Sequence, residues 1–282
     1  MDKHKVAIIG AGPAGITCAI QLKRHGVKFE LFEKEEVGGY LRNAHLVENY
    51  TGFTEIKGLE LVEKFKKHLN SLDIKITNKE VEKVTAENEK ILLEIEKKTR
   101  VFDYLVVASG TRPKKADFGE SSRLFYDGHR LFGCQDKTII IVGAGDAAFD
   151  YAINLSKHNK VKLLNRKTKT KSLQLLIDRC LGNENIEYIE NTTIQFLKDT
   201  DTKVIATTNN SNHSTIEADY IICAIGRKPN MSFMDTSFMK LENKKIFFAG
   251  DVKNGDFRQT AISAGDGMMH AMKIIDILRN NK

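Results

Sequence analysis

The sequence has 282 residues, of which 41% are hydrophobic and 29% are charged, with 20 Gly and 3 Pro. This composition is typical of a globular chain of about two domains, and it excludes a disordered, a collagen-like or a disulfide-scaffold protein. The net charge is +7, but the lysines are spread along the chain without interleaved aromatic residues, which favours a solvated basic surface and no nucleic-acid partner.

The first predicted elements form a strand, a turn and a helix. The segment KVAIIGAGPAG ends in a Gly10-x-Gly12-x-x-Gly15 pattern, and helical spacing of apolar residues follows it. A second short strand, Val27–Phe32, leads to Glu33, which lies 23 positions after Gly10. This complete pattern predicts a dinucleotide site in which the glycines admit a pyrophosphate and Glu33 accepts hydrogen bonds from the ribose hydroxyl groups.

The middle of the chain contains shorter strand patterns. Ile91–Ile95 and Thr99–Phe102 alternate between apolar and polar residues, which predicts a small antiparallel inset. The following stretch, DYLVVASGTR, is apolar enough to be a buried strand, and it ends at Ser109 and Gly110. We therefore expect a return to the main sheet of the first domain at this point.

A second copy of the strand–turn–helix pattern begins near residue 137. The segment KTIIIVGAGDAA contains Gly143-x-Gly145-x-x-Ala148, and the position 23 residues after Gly143 is occupied by Arg166 rather than by an acid. A cation there pairs with a 2′-phosphate, so this site is predicted to prefer NADPH. The alternative is an ordinary lysine-rich loop after a strand. The cluster consists of Asn165, Arg166, Lys167, Lys169 and Lys171.

The last part of the chain completes the first domain. DYIICAIGRKPN repeats the shape of the strand near residue 107, KKIFFAGD ends at Asp251, and a long predicted helix begins around Thr260. The predicted fold is α/β, with two nested Rossmann-like three-layer domains and small antiparallel insets. The predicted dinucleotide-binding domains are 1–114 with 232–282, and 115–231.

The four cysteines stand at positions 18, 134, 180 and 223, and the sequence contains no C-x-x-C motif. This spacing is typical of reduced, buried thiols in a cytoplasmic protein, and it predicts no metal site. No run of 18 or more apolar residues is present, so we expect no association with a membrane.

Taken together, these motifs resemble the thioredoxin-reductase-like group of two-domain FAD and NAD(P)H flavoproteins. The resemblance covers nearly the entire chain and includes GGYLRNAHLVENYTGF, VVASGTRP, CAIGRKPN and FFAGD followed by RQTAISAGDG. It implies an FAD-dependent oxidoreductase that takes hydride from NADPH. It also implies a homodimer.

The resemblance implies roles for individual residues. The GG-x-L turn is expected to approach the flavin, Asn49 to contact its ring, Asp251 to hold the ribityl chain, and the Arg258-Gln259 pair to lie along the flavin. The expected FAD contacts are Gly10, Gly12, Pro13, Ala14, Gly15, Glu33, Gly38, Gly39, Leu41, Asn49, Val81, Ser109, Gly110, Gly250, Asp251, Arg258, Gln259 and Thr260. The expected NADPH contacts are Gly143, Gly145, Asp146, Ala147, Ala148, Arg166, Lys167, Lys171 and Gly226.

One departure from the family changes the expected chemistry. Thioredoxin reductases carry C-A-T-C-D-G at the start of the nucleotide domain, where this chain reads RLFYDG, with Tyr126 and Asp127 expected near the flavin. Without a dithiol the family's route to a disulfide is closed. Related members of this group that lack the dithiol reduce ferredoxin, so the resemblance implies a one-electron acceptor such as ferredoxin or flavodoxin.

Two rival hypotheses remain open at this level. In the first, the chain is a disulfide reductase whose thiols come from a partner chain or from Cys134 and Cys180. In the second, it is a non-catalytic flavin-binding regulator in which Tyr126 stacks on the flavin and blocks the nicotinamide. Reduction of the flavin by NADPH discriminates the regulator from both enzymes.

Overall fold

The computed structural model describes residues 5–280, except for the side chains of Ser237 and Lys240. The chain divides into two compact units. The first unit contains Met1–Arg42, Val47–Arg112 and Lys228–Lys282, and the second contains Asn43–Leu46 and Pro113–Arg227. The short segment Asn43–Leu46, which the sequence placed in the first domain, therefore groups with the second unit.

Strands and helices alternate as in an α/β protein. The strands in chain order are β1 (Val6–Ile9), β2 (Phe29–Glu33), β3 (Ile76–Asn78), β4 (Lys83–Glu87), β5 (Lys90–Ile95), β6 (Lys98–Phe102), β7 (Tyr104–Val107), β8 (Thr111–Pro113), β9 (Leu124–Phe125), β10 (Thr138–Val142), β11 (Lys160–Leu164), β12 (Ile186–Ile189), β13 (Ile194–Asp199), β14 (Val204–Thr208), β15 (Thr215–Ala218), β16 (Tyr220–Cys223), β17 (Arg227–Pro229) and β18 (Ile246–Phe248). The α-helices are α1 (Pro13–Arg24), α2 (Gly58–Ser71), α3 (Asp146–Leu155), α4 (Gln174–Leu181) and α5 (Thr260–Asn280). Short 3-10 helices cover Gly39–Asn43, Gly128–Leu131, Ser211–His213, Thr236–Lys240 and Gly250–Val252.

The first unit is built on a parallel sheet in the order β18-β7-β1-β2-β3. Strand β1 is buried along its whole length, as its run of apolar residues predicts. In the register, Ile9 pairs with Phe32 on one side and with Val107 on the other. The carboxyl ends of β1, β2 and β7 therefore meet at one edge of the sheet, where ligands bind in open α/β sheets.

Helices α1 and α5 pack closely in the core of the first unit. Helix α1 begins at Pro13, whose missing N–H is tolerated in the first turn, and it ends on the basic residues Lys23 and Arg24. A Cβ atom on Gly267 of α5 would overlap the carbonyl oxygen of Ala14 in α1. A glycine is therefore needed where the two helices come closest.

The second unit repeats this arrangement with a parallel sheet in the order β12-β11-β10-β16-β9. Each unit also carries a three-stranded antiparallel sheet, β4-β5-β6 in the first and β13-β14-β15 in the second. Side chains of β5 alternate between buried and less buried positions from Ile91 onward, as the sequence pattern predicts. The predicted fold class is confirmed.

Apart from the segment Asn43–Leu46, the chain passes from one unit to the other near residues 112 and 227, in strands β8 and β17. Within residues 5–280, no helix is both long enough and apolar enough to cross a membrane.

Candidate cofactor sites

The first glycine loop connects β1 to α1 at the carboxyl edge of its sheet. Gly10 has a φ of +101°, and a Cβ atom there would overlap the carbonyl oxygen of Ala108, so only glycine fits. In contrast, a Cβ atom on Gly12 would meet nothing within 4 Å. Open space therefore lies in front of Gly12 at the N-terminus of α1, where backbone N–H groups favour a phosphate.

Glu33 and the turn that contains Gly38 converge on this glycine loop. The Ala11 N–H donates to Glu33 Oε2 at 2.7 Å, and the Glu35 N–H donates to Glu33 Oε1 at 3.0 Å. The Gly38 N–H donates to the carbonyl oxygen of Ala11 at 2.8 Å. Three segments that are separate in sequence therefore form one backbone-lined cradle, and the carboxylate of Glu33 lies at its edge.

The start of α5 supplies polar groups to the same unit. Asn49 Nδ2 donates to Gln259 Oε1 at 3.0 Å, and both side chains are exposed. Asp251 Oδ1 accepts a hydrogen bond from Ser263 Oγ at 2.9 Å. The start of α5 therefore brings together the side chains of Asn49, Gln259 and Asp251, which are expected to face a flavin.

The other residues expected to contact FAD fall into three groups. Leu41 and Val81 are buried apolar side chains, and Val81 packs in the core next to the antiparallel sheet of the first unit. Ser109 Oγ donates to the carbonyl oxygen of Asn230 at 2.7 Å, beside Gly110. The remaining members are Pro13, Ala14 and Gly15 in the first turn of α1, Gly39 and Gly250 at the starts of two 3-10 helices, and Arg258 and Thr260, which lie just before and at the start of α5.

Asp266 of α5 also belongs to this site, although none of the sequence motifs assigns it a role. Asp266 Oδ2 accepts hydrogen bonds from the Gly250 N–H at 3.0 Å and from Asn254 Nδ2 at 2.7 Å, and Lys253 Nζ lies 3.2 Å from Oδ1. Burial opposes ionisation, but these donors keep the pKa of Asp266 below its ordinary value. Asp266 therefore holds the turn that carries Asp251. The available signal was that Asp266 is the only acid between Thr260 and Met272 of α5.

The second glycine loop has the same geometry in the second unit. Gly143 has a φ of +127°, and a Cβ atom there would overlap the carbonyl oxygen of Ala224, as at Gly10. A Cβ atom on Gly145 would meet nothing within 4 Å, and Ala148 is fully buried. This loop therefore also presents open space at a helix N-terminus, which begins here at Asp146.

The predicted cationic cluster follows β11 in this unit. The side chain of Asn165 is buried, while Arg166, Lys167, Lys169 and Lys171 are exposed. Among the residues that the structure describes, none of these four cations takes part in a salt bridge. The cluster therefore offers positive charge that is not neutralised by neighbouring carboxylates, as a 2′-phosphate requires.

Tyr126 and Asp127 make contacts within the second unit. The Tyr126 hydroxyl oxygen accepts a hydrogen bond from the Ala116 N–H at 3.1 Å, and Lys115 Nζ lies 4.7 Å from the centroid of the Tyr126 ring. Asp127 Oδ1 lies 3.1 Å from a guanidinium nitrogen of Arg227. Next to Arg227, the carbonyl oxygen of Gly226 accepts a hydrogen bond from the Lys114 N–H. The expected proximity of Tyr126 and Asp127 to a flavin stays a prediction.

All four cysteines are free thiols. Cys18, Cys180 and Cys223 are buried in α1, α4 and β16, and Cys134 is half-buried. Burial raises the pKa of Cys180 and of Cys223 to about 11 and raises that of Cys18 further. Because the thiolate is the reactive form, these three buried thiols are unreactive near neutral pH.

The geometry fits FAD in the first unit and NADPH in the second. Each unit has a glycine loop with free space before a helix N-terminus. An acid ends the second strand of the first unit, and a cationic cluster follows the corresponding strand of the second unit. An acid suits free ribose hydroxyl groups, whereas cations suit a 2′-phosphate.

Comparison with known proteins gives the family. A family model described as pyridine nucleotide-disulphide oxidoreductase matches residues 4–267. Thioredoxin reductase from Chlamydia trachomatis is 29% identical, with 99% of this chain and 100% of the relative covered. Thioredoxin reductase from Mycoplasma genitalium is also 29% identical, covering 97% of this chain and 95% of the relative.

Solved structures agree on the fold. The crystal structure of T. acidophilum thioredoxin reductase has a TM-score of 0.83 at 26% identity, covering 96% of this chain and 97% of that one. The Lactococcus lactis enzyme has a TM-score of 0.88 at 23% identity, covering 99% and 100%. The chain belongs to the pyridine nucleotide-disulphide oxidoreductase family and is a thioredoxin-reductase-like, FAD-containing enzyme that uses NADPH.

Proposed function

We propose that this enzyme takes hydride from NADPH onto FAD and passes the electrons to a one-electron carrier, ferredoxin or flavodoxin, without a disulfide of its own. The observation that carries this proposal is the RLFYDG segment: Arg123 and Tyr126, or Tyr126 and His129 in an alignment shifted by three residues, stand where the family resemblance places two cysteines. Tyr126 makes a hydrogen bond to the backbone and has no thiol chemistry.

The cysteines elsewhere in the chain do not replace the missing pair. Cys18, Cys180 and Cys223 are buried, and burial keeps them protonated near neutral pH. All four thiols are free, and they lie on different elements or loops. Electron storage in a protein disulfide therefore has no support from the arrangement of the thiols.

The residues of each unit bind and position, while bound FAD supplies the redox chemistry. In the first unit, the N-terminus of α1 stabilises the charge of the pyrophosphate and Glu33 accepts from the ribose hydroxyl groups. The N-terminus of α5, beside Asn49 and Gln259, favours negative charge on the flavin ring. In the second unit, Arg166 and Lys167 bind the 2′-phosphate of NADPH.

The charge of the protein and one relative support this class of acceptor. The net charge of +7 suits acidic carriers, because complementary charge accelerates the encounter of two proteins. A relative from Clostridium pasteurianum, 25% identical over 95% of this chain, is described as a 34.2 kDa protein in the rubredoxin operon. Rubredoxin, like ferredoxin, is a one-electron carrier, which supports an acceptor of this chemistry.

Anaerobic stopped-flow mixing tests the proposal in two steps. We expect NADPH to bleach the flavin, and we expect the reduced enzyme to be reoxidised by ferredoxin or flavodoxin faster than by oxidised thioredoxin. Reoxidation that is fastest with thioredoxin would contradict the proposal. A flavin that NADPH does not bleach would favour a regulatory protein.

A disulfide reductase is the second candidate function. The family description and the thioredoxin reductase relatives support it. Its thiols would come from a partner chain or from Cys134, which is the least buried cysteine. The expected homodimer is a further prediction, and the mass of the protein in solution tests it.

A further inference from the structure

An acid stands at the start of the nucleotide-binding helix of the second unit. Asp146 is the first residue of α3, directly after Gly145. A carboxylate at this position repels a pyrophosphate that approaches the same helix N-terminus, since both carry negative charge. The Asp146 carboxylate is therefore poorly suited to a contact with the pyrophosphate, while a contact through its backbone N–H stays a prediction.

The Asp146 side chain instead accepts hydrogen bonds from the residues that directly follow the cationic loop, residues 166–171. Asp146 Oδ1 accepts a hydrogen bond from Ser172 Oγ at 2.6 Å and another from the Leu173 N–H at 2.9 Å. The Thr170 hydroxyl donates to the carbonyl oxygen of Ala144, and the Ser172 N–H donates to Thr170 Oγ1 at 3.1 Å. The C-terminal end of the loop is therefore joined to the glycine loop.

Asn165 holds the N-terminal end of the loop. Asn165 Nδ2 donates to the Tyr188 hydroxyl oxygen at 2.8 Å, and Asn165 Oδ1 accepts from the Lys167 N–H at 3.1 Å. Asn165 is buried, so this end has little freedom to move. Between the two attachments the cationic side chains remain exposed.

We infer that Asp146 is a positioning residue for NADPH selectivity: its carboxylate holds the cationic loop 166–171 next to the glycine loop without contacting the 2′-phosphate. The inference rests on the proposed binding of that phosphate by Arg166 and Lys167. A loop fixed at both ends loses less conformational freedom when it binds the 2′-phosphate. Less of the free energy of the charge pairs is therefore spent on ordering the loop. Releasing one end weakens binding of the 2′-phosphate and leaves the rest of the nucleotide unaffected.

Titration calorimetry of the flavin-loaded protein tests this without turnover. The probes are 2′,5′-ADP, which carries the 2′-phosphate, and 5′-AMP, which lacks it. For Asp146→Ala we expect 2′,5′-ADP to bind about tenfold more weakly while 5′-AMP changes less than about twofold. Asp146→Asn keeps an oxygen acceptor for Ser172 and Leu173, so it should stay within about threefold of wild type for both probes.

Asp199→Ala is the matched control. Asp199 also accepts hydrogen bonds from a serine hydroxyl and a backbone N–H, at 2.6 Å from Ser121 Oγ and 3.3 Å from Ser122 N, but it lies at the end of β13. We expect this variant to bind both probes as wild type does. Flavin content and melting temperature show whether each variant is folded.

Several results would overturn the inference. If Asp146→Ala weakens both probes equally, Asp146 acts on the shared part of the nucleotide. If Asp146→Ala binds both probes as wild type does, the position of the loop does not depend on Asp146. If Asp146→Asn weakens 2′,5′-ADP binding as much as Asp146→Ala does, the negative charge of Asp146 is required rather than its hydrogen-bond acceptor. A wild-type protein that binds both probes equally contradicts the assignment of Arg166 and Lys167 itself.

Discussion

Asn49 and Gln259 lie 210 positions apart, yet their side-chain amides are joined by a hydrogen bond of 3.0 Å from Nδ2 to Oε1. Asn49 follows the first 3-10 helix, and Gln259 directly precedes α5. Each side chain therefore limits the orientation of the other at the position proposed for the flavin ring.

This pairing predicts coupled effects on FAD binding. Asn49→Ala and Gln259→Ala should each weaken FAD binding, because each removes one amide and releases its partner. In the double variant the loss should be smaller than the sum of the single losses by about 0.5–1 kcal/mol. The FAD affinities of wild type, the two single variants and the double variant, measured by reconstitution of the apoprotein, give this double-mutant cycle. Strict additivity would show that the two amides act independently.

Glu33 is predicted to select the adenosine ribose of FAD. Its two oxygens already accept from the backbone N–H groups of Ala11 and Glu35, so the carboxylate is fixed in place. Glu33→Arg removes the acceptors, and at about 1.5–3 kcal/mol for each charged hydrogen bond it should lower FAD retention at least tenfold. Glu63→Arg, on the exposed face of α2, makes the same change of charge and should keep its flavin. Equal flavin content in the purified Glu33 variant and wild type would rule out this role.

Arg166 and Lys167 are predicted to discriminate NADPH from NADH. Two charge pairs in an exposed loop contribute about 2–3 kcal/mol, or roughly 30- to 150-fold. The double variant Arg166→Glu, Lys167→Ser should lose flavin reduction by NADPH and keep reduction by NADH. Stopped-flow rates with both nucleotides measure this. Equal wild-type rates with NADPH and NADH would contradict the assignment.

We expect that the protein stores no electrons in a disulfide during turnover. Anaerobic titration with dithionite should consume two electrons per bound flavin, because a disulfide would accept a further pair. The variant Cys134→Ser, Cys180→Ala should keep NADPH-dependent dye reduction. Uptake of four electrons, or loss of dye reduction in a folded variant, would restore the disulfide-reductase hypothesis.

His270 of α5 is predicted to make the first unit less stable in mild acid. Burial, and then the nearby ammonium groups of Lys253 and Lys273, lower its pKa to about 4, while Asp266 opposes this shift. The unfolded chain, with a histidine pKa of about 6.5, therefore takes up the proton first. Stability is lost as the pH falls from about 6.5 toward 4, by about 2 kcal/mol at about pH 5.

The variant His270→Gln tests this dependence because it carries no proton to titrate. Its unfolding free energy should fall less than that of wild type between about pH 7.5 and about pH 5. His158→Gln, at an exposed position of the second unit, should behave as wild type does. Parallel pH profiles for wild type and His270→Gln would show that His270 is not the responsible group.

The strand–turn–helix segment that opens each unit, and the two cofactors, could be predicted from the sequence alone. Each glycine pattern, with the strand before it, the helix after it and the residue 23 positions on, lies within about 30 residues, so periodicity and spacing suffice to find it. The two parallel sheets and the antiparallel insets are confirmed. The individual cofactor contacts stay predictions.

Which side chains hold these sites in shape depends on long-range packing. Asp266 holds Gly250, Asp146 holds Ser172 and Leu173, and Asn49 meets Gln259. Each pair joins residues that are distant in sequence, and a hydrogen bond between them depends on how the sheets and helices pack rather than on local spacing. The grouping of Asn43–Leu46 with the second unit has the same origin, because it depends on contacts that no local pattern encodes.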